Sequence, residues 1–273
     1  MIEQRMGRRE FLVRALAAAA FPIVVPASAL GRGGNAAPSD RIVMGSIGVG
    51  RMGLGNTRRF LAYDDVRVVA VCDVREGFRQ QAKRTVDSHY GDGACATYHD
   101  YRELLARQDI DAVMIATPDH WHVLNGIEAA RQGKHMYCEK PLGRTVAEDQ
   151  AIRAVVHRYG VVFQFGTQQR STRTFRLATE LARNGRLGQI HTIMTSSALA
   201  PFLPNQPEEP VPPGFDYDMW LGPAPWAPYC SERCTPRWTV IYDYSLGCVG
   251  GAWAVHDVDI AQKAAGGSYA GNR

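Results

Sequence analysis

The chain has 273 residues, 45% of them apolar and 21% charged, with a formal net charge of +4. Four arginines and two glutamates fall in residues 1–29, which leaves about +2 for the remainder, too little to call for a nucleic-acid or anionic-membrane partner. The length suits one large domain or two modest ones, and six scattered cysteines do not make a disulfide scaffold.

The N-terminus reads as an export signal. Arg5, Arg8, Arg9 and Arg14 precede an apolar run over residues 15–27 that is too short to span a bilayer, followed by Ala27-Ser28-Ala29, an A-x-A cleavage site. Arg8-Arg9-Glu10-Phe11-Leu12 resembles the twin-arginine signal, a route for proteins that fold before they cross. The bland alternatives are a basic amphipathic helix of a cytosolic protein and an uncleaved anchor. The reading adopted is a signal over 1–29, a linker over 30–40, and no stable membrane span.

Strands and helices then alternate. "RIVMGSIGVG" predicts a buried strand, with a helix after Arg51. "VRVVAVCDV" predicts a second strand, followed by a helix over 76–88 and helical "DYRELLARQ". "IDAVMIATP" predicts a third strand, "HWHVLNGIEAARQG" a helix, "KHMYCEKP" a strand running into a loop, "TVAEDQAIRAVVHRYG" a helix and "VVFQFG" another strand. Such alternation means an α/β fold with a doubly wound parallel sheet and right-handed crossovers. The pattern places a Rossmann domain at 41–165. Over 166–273 it predicts a helix at "TFRLATELARNGRLGQI", a strand at "HTIMTSSALA", a Pro/Trp-rich stretch over 201–238 and a helix over 253–265. One strand cannot bury a face or pair its backbone, so the chain is expected to be an incomplete version of a longer protein.

Gly48-Val49-Gly50-Arg51-Met52-Gly53 is a G-x-G-x-x-G between a predicted strand and a predicted helix. Gly48 permits the tight turn, Gly50 lets the backbone approach a pyrophosphate, and Gly53 lets helix pack on strand. Asp73 ends the next strand twenty residues later, the distance expected of a ribose-binding acid. The bland alternative is a ligand-free glycine turn. The cofactor is NAD or NADP. Asp73 favours NAD, and Arg75 could instead accept the 2′-phosphate of NADP.

Three further stretches carry chemistry. "ATPDHWH" brings Asp119, His120 and His122 to a strand end, where ligands bind in such folds; Asp119 also suits a helix cap. In "CEKP", Lys140 would project into the same crevice and help move a hydroxyl proton, or would lie on the surface as most lysines do. In "WAVHDVDIAQ", His256 and Asp259 share a helix face, as an acid/base pair or as a helix start with an acidic first turn.

Together "IGVGRMG", "CDV", "ATPDHWH", "YCEKPLG", "FGTQQRS", "FDYDMWLGPAPWAPY" and "HDVDIAQ" resemble the Gfo/Idh/MocA oxidoreductases over roughly residues 40–265. The resemblance implies a Rossmann domain followed by an α/β domain with a mostly antiparallel sheet, bound NAD(P), and homo-oligomers of the full-length form. It implies Lys140 and His256 as catalytic residues. It implies cofactor contacts from Gly48, Gly50, Arg51, Met52, Gly53, Asp73, Thr117, Pro118, His120, Glu139 and Lys140, and substrate contacts from His122, Gln169 and Asp259. Many members carry an aspartate four residues before the histidine, where this chain has Ala252.

The function expected is an exported NAD(P)-dependent oxidoreductase with tightly bound cofactor, acting on a sugar, cyclitol or glycoside hydroxyl. A redox-neutral variant would break a glycosidic bond. The rivals are a non-catalytic dinucleotide-binding or regulatory protein and a metal hydrolase using His120, His122, His256 and Asp259. No metal is expected on the reading adopted.

Overall fold

A computed structural model describes residues 37–196, 205–247 and 253–266. The strands β1 (Ile42–Ile47), β2 (Val66–Cys72), β3 (Ala96–Tyr98), β4 (Ala112–Ile115), β5 (His135–Glu139) and β6 (Phe163–Gly166) form one sheet in the order β3-β2-β1-β4-β5-β6. Every pairing is parallel. This is the Rossmann order, with the chain reversing direction beside β1.

The inner strands are apolar on both faces because helices cover both. On one side Leu54 and Leu61 of α1 (Arg51–Leu61) and Ala82 and Val86 of α2 (Glu76–Tyr90) pack on Met44, Val68, Val71 and Met114. On the other, α3 (Tyr101–Leu105) and α4 (Asp119–Arg131) bring Leu104, Leu105, Trp121, Ala129 and Ala130 against Ile47, Val113, Ile115 and Cys138. The helix α5 (Val146–Tyr159) opens with a reciprocal Thr145–Glu148 capping box and stops at Gly160. Gly160 has φ +64°, a left-handed conformation that glycine adopts without strain. β3 was not expected from the sequence. It is three residues at the sheet edge, too short for periodicity to register.

Beyond β6 come a 3-10 turn (Gln168–Ser171) and α6 (Arg173–Arg183). Here two expectations fail. Residues 191–196 of the predicted strand are exposed and unpaired in any ladder, and residues 197–200 lie outside the described residues. No second sheet is present among the described residues, because that segment has no neighbouring strand to complete its hydrogen bonds.

Residues 205–247 are held by aromatic packing instead. Phe215, Tyr217, Trp220, Tyr229 and Tyr244 form one cluster, and the Trp220 and Tyr244 rings meet edge to face at 5.0 Å. The short α7 (Tyr217–Leu221) belongs to it. This segment is sewn to the end of β2. Glu76 donates its N–H to Gly214 (2.8 Å), Asp216 donates to Val74 (3.1 Å), and Arg75 and Phe215 form an antiparallel bridge. Finally α8 (Ala254–Ala264) packs on α6, and Arg170 clamps Asp259 through two 2.6 Å bonds.

The predicted signal and most of the predicted linker, residues 1–36, lie outside the described residues, as does Ala252. Among the described residues no helix is long and apolar enough to cross a membrane.

Candidate active site

The glycine loop forms where β1 turns into α1. Gly48 has φ +77°, and a Cβ there would stand 2.6 Å from the Thr117 nitrogen. A Cβ on Gly53 would stand 1.8 Å from the Gly48 carbonyl oxygen, so any side chain would drive α1 off the strand. Over Gly50 only the Phe78 ring approaches, at 3.5 Å. The backbone there is open beside the N-terminus of an 11-residue helix, which fits a pyrophosphate. Arg51 and Met52 are exposed on the first turn.

Asp73 closes the cradle from the end of β2. Its carboxylate accepts the N–H of Val49 (2.9 Å) and of Arg75 (2.9 Å). Burial raises its pKa to about 6 against the opposing pull of those N–H groups and of Arg75 and Arg79. A largely apolar slot runs beside it, with Ile47, Gly48, Val74 and Thr117 on the sheet side and Met219 and Trp220 of α7 opposite. Asn125 also lines it. Its Nδ2 donates to Thr117 Oγ1 (3.0 Å), while its buried Oδ1 has no partner.

Lys140 follows β5 at the same edge of the sheet, joined to Pro141 by a cis peptide. The buried Glu139 is fixed by Asn56 Nδ2 (2.8 Å) and the Tyr137 hydroxyl (3.0 Å). His256, in the first turn of α8, is buried, and its Nδ1 has no hydrogen-bond partner. Burial and then the charge of Lys140 lower its pKa, so the ring is neutral at neutral pH. Lys140 and His256, apart by more than a hundred residues, thus sense one another.

Three expected site residues are engaged elsewhere. His120 Nε2 faces the Trp220 carbonyl (3.0 Å) between the rings of Trp220 and Tyr244. Burial lowers its pKa to about 4, and it joins α4 to the aromatic cluster. His122, expected to meet substrate, is buried with Nδ1 2.6 Å from the Pro141 carbonyl and Nε2 2.8 Å from that of Thr117. Both nitrogens are taken up tying the loop after β4 to the loop after β5. Asp259 is turned to Arg170 rather than paired with His256. Gln169 lies in the neighbouring 3-10 turn, and its Oε1 accepts from Thr172. Asn56, Tyr137 and Trp220 were not singled out from the sequence. Asn56, three residues after Gly53, is the one with a local signal, since that spacing puts it on the sheet-facing side of α1. Among the described residues no group of three or more His, Cys, Asp or Glu side chains is placed to hold a metal ion.

Residues 42–167 match the family model described as "Oxidoreductase family, NAD-binding Rossmann fold", and residues 203–266 match that family's "C-terminal alpha/beta domain". The chain belongs to the Gfo/Idh/MocA oxidoreductase family. It is 30% identical over 177 residues to the "uncharacterized oxidoreductase YrbE" of Bacillus subtilis (strain 168), covering 65% of this chain and 47% of that one. It is 36% identical over 113 residues to "glycosyl hydrolase family 109 protein 2" of Shewanella sp. (strain ANA-3), 40% of this chain and 25% of that one. Scyllo-inositol dehydrogenase from Lactobacillus casei, solved with NAD(H) and scyllo-inositol, aligns at 25% identity with a TM-score of 0.50, covering 54% of this chain and 42% of that one. The chain thus spans less than half the length of these relatives.

Proposed function

We propose that this chain is an NAD(P)-dependent dehydrogenase that oxidises a secondary hydroxyl of a cyclitol, sugar or glycoside. The observation that carries this is a dinucleotide cradle at the ends of β1 and β2, with Lys140 at the end of β5 on the same edge of the sheet and a buried His256 whose pKa burial and then the charge of Lys140 lower. The cyclitol bound to the Lactobacillus casei relative supports the substrate class.

Bound nicotinamide supplies a hydride acceptor. The residues of the chain do the rest. Oxidation of a carbinol takes a hydride from carbon and a proton from oxygen. The Lys140 ammonium donates a hydrogen bond to the substrate oxygen and steadies its developing negative charge. His256 takes the proton, for which its neutral ring is the competent form. Asn56 and Tyr137 fix Glu139 and so the strand end that carries Lys140.

The test is nicotinamide absorbance on adding scyllo-inositol, myo-inositol and simple sugars to the purified chain with NAD. Lys140→Ala should keep NAD and lose turnover. Full activity in that variant would remove Lys140 from the mechanism. The glycosyl hydrolase relatives favour a second reading, in which oxidation of a hydroxyl two carbons from the leaving group would acidify the C–H between them and permit elimination, water would add to the resulting enone, and the NADH formed would reduce the carbonyl again. Under it, nitrophenyl glycosides release nitrophenol only with NAD present and without net NADH.

We further propose that residues 1–29 direct export of the folded, cofactor-loaded chain. Replacing Arg8 and Arg9 with lysine should leave the protein in the cytoplasmic fraction. Unchanged export would refute the twin-arginine route.

A further inference from the structure

A dinucleotide-binding fold chooses between NAD and NADP at the adenosine ribose. A carboxylate at the end of the second strand suits a free 2′-hydroxyl, and a nearby arginine suits a 2′-phosphate. This chain has both, Asp73 and, two residues later, Arg75, with Arg79 one helical turn beyond. We infer that it selects NAD because the segment over residues 215–234 holds Arg75 away from the ribose. This rests on the dinucleotide reading above and adds which dinucleotide is bound and why.

The geometry is a clasp. The Arg75 guanidinium lies 4.0 Å from the centroid of the Phe215 ring and 5.5 Å from that of Phe78. Its Nη2 donates to the Cys234 carbonyl at 3.0 Å. Stacking on an aromatic face and donating to a carbonyl both suit a planar cation. The backbone adds a bridge between Arg75 and Phe215. Phe215 is itself buried in the aromatic cluster, so the clasp is anchored.

Arg79, one turn beyond Arg75 and within α2, is committed as well. Arg79 Nη1 donates to the Asp73 carbonyl oxygen at 2.5 Å and faces His99 Nδ1 at 3.3 Å. With Nδ1 facing a donor, His99 Nε2 carries the hydrogen and donates to Asp216 (2.7 Å). What remains toward the ribose is the Asp73 carboxylate, which accepts a hydroxyl and repels a phosphate. The clasp comes from residues 140 or more positions further along the chain. The motif around Asp73 alone therefore leaves the choice open.

The experiment titrates NADH and NADPH into the purified chain by nicotinamide fluorescence. The wild type should bind NADH at least about tenfold more tightly than NADPH. Arg75→Ala should leave NADPH affinity within about twofold, since the guanidinium does not reach the phosphate. Phe215→Leu should release Arg75 and tighten NADPH binding at least about threefold, and the double variant Phe215→Leu/Arg75→Ala should lose that gain. Should Phe215→Leu fail to fold, Arg75→Ala alone decides. A wild type without the NADH preference, or an Arg75→Ala variant that binds NADPH markedly more weakly, overturns the inference while leaving the dinucleotide reading standing. A chain that binds neither nucleotide overturns both.

Discussion

Asp73 is pulled two ways. Burial favours its neutral acid and raises its pKa to about 6, while on the proposed reading a ribose hydroxyl would donate to the charged form. A carboxyl whose folded pKa is raised lends stability at low pH and loses it as pH rises through about 6. Cofactor affinity runs in the opposite sense and climbs through the same range. NAD should bind about tenfold more weakly at pH 5 than on the plateau above pH 7, because each pH unit below the pKa is a factor of ten in carboxylate. Isothermal titration at several pH values checks this, and Asp73→Asn should flatten the profile. A flat wild-type profile would place the ribose acid elsewhere. His122 makes a different demand. A carbonyl oxygen faces each ring nitrogen, and either neutral tautomer has one N–H to give, so His122→Leu strands at least one acceptor at a cost of about 1–3 kcal/mol where it is buried. His122→Gln keeps a donor for one of the carbonyls. Urea midpoints should fall in the order wild type, glutamine, leucine; a leucine variant as stable as the wild type would show that the ring holds neither loop.

At the scale of elements, α7 is too short to be stable alone, and its place depends on Asp216. That side chain accepts the Met219 N–H as a helix cap (2.8 Å) and pairs with His99 (2.7 Å). Asp216→Ala should cost about 1 kcal/mol in stability through the lost cap. It should also speed NADH release, seen as the decay of nicotinamide fluorescence on dilution, because Met219 and Trp220 wall the slot beside Asp73. An unchanged release rate would mean that α7 does not retain the cofactor. The strands show what the sequence makes legible. β1, β2 and β4 are largely buried on both faces, so each reads as a mostly apolar run, and β5 keeps Met136 and Cys138 in the core between His135 and Glu139. Three-residue β3 carries no such record, and the run at 191–196 reads as a strand although ladder pairing, which needs a neighbour, is absent. The site follows the same division. The glycines, Asp73 and Lys140 lie at the strand ends where the sequence pattern places them. His120 and His122 look like cleft residues until their partners are known, and one of those, the Trp220 carbonyl, comes from a hundred residues away.

Over the whole molecule, the contrast is between the sewn segment at 205–247 and the exposed stretch at 184–196. Phe175, Leu177 and Leu181 of α6, with Leu187, Ile190, Ile193 and Met194 beyond it, are all exposed in the described structure, a stripe that favours association with other chains. Trypsin should cut first after Arg183 or Arg186, both exposed. The fragment carrying residues 205–247 should then stay with the Rossmann fragment on gel filtration, held by the contacts at Val74, Glu76, His120 and Trp121. Separation of the two fragments would show those contacts to be weak.

The slot beside Asp73 has one wall from β1 and β2 and the other from α7, so whatever fills it touches the Rossmann sheet and the aromatic segment at once. A dinucleotide there acts as a missing piece of the core. Each tenfold excess over its dissociation constant adds about 1.4 kcal/mol to the folded state. The melting temperature of the protein then becomes a gauge of the cofactor around it. On the proposed reading, molecules that have not been loaded should be the first to open, along the seam that their cofactor would have closed.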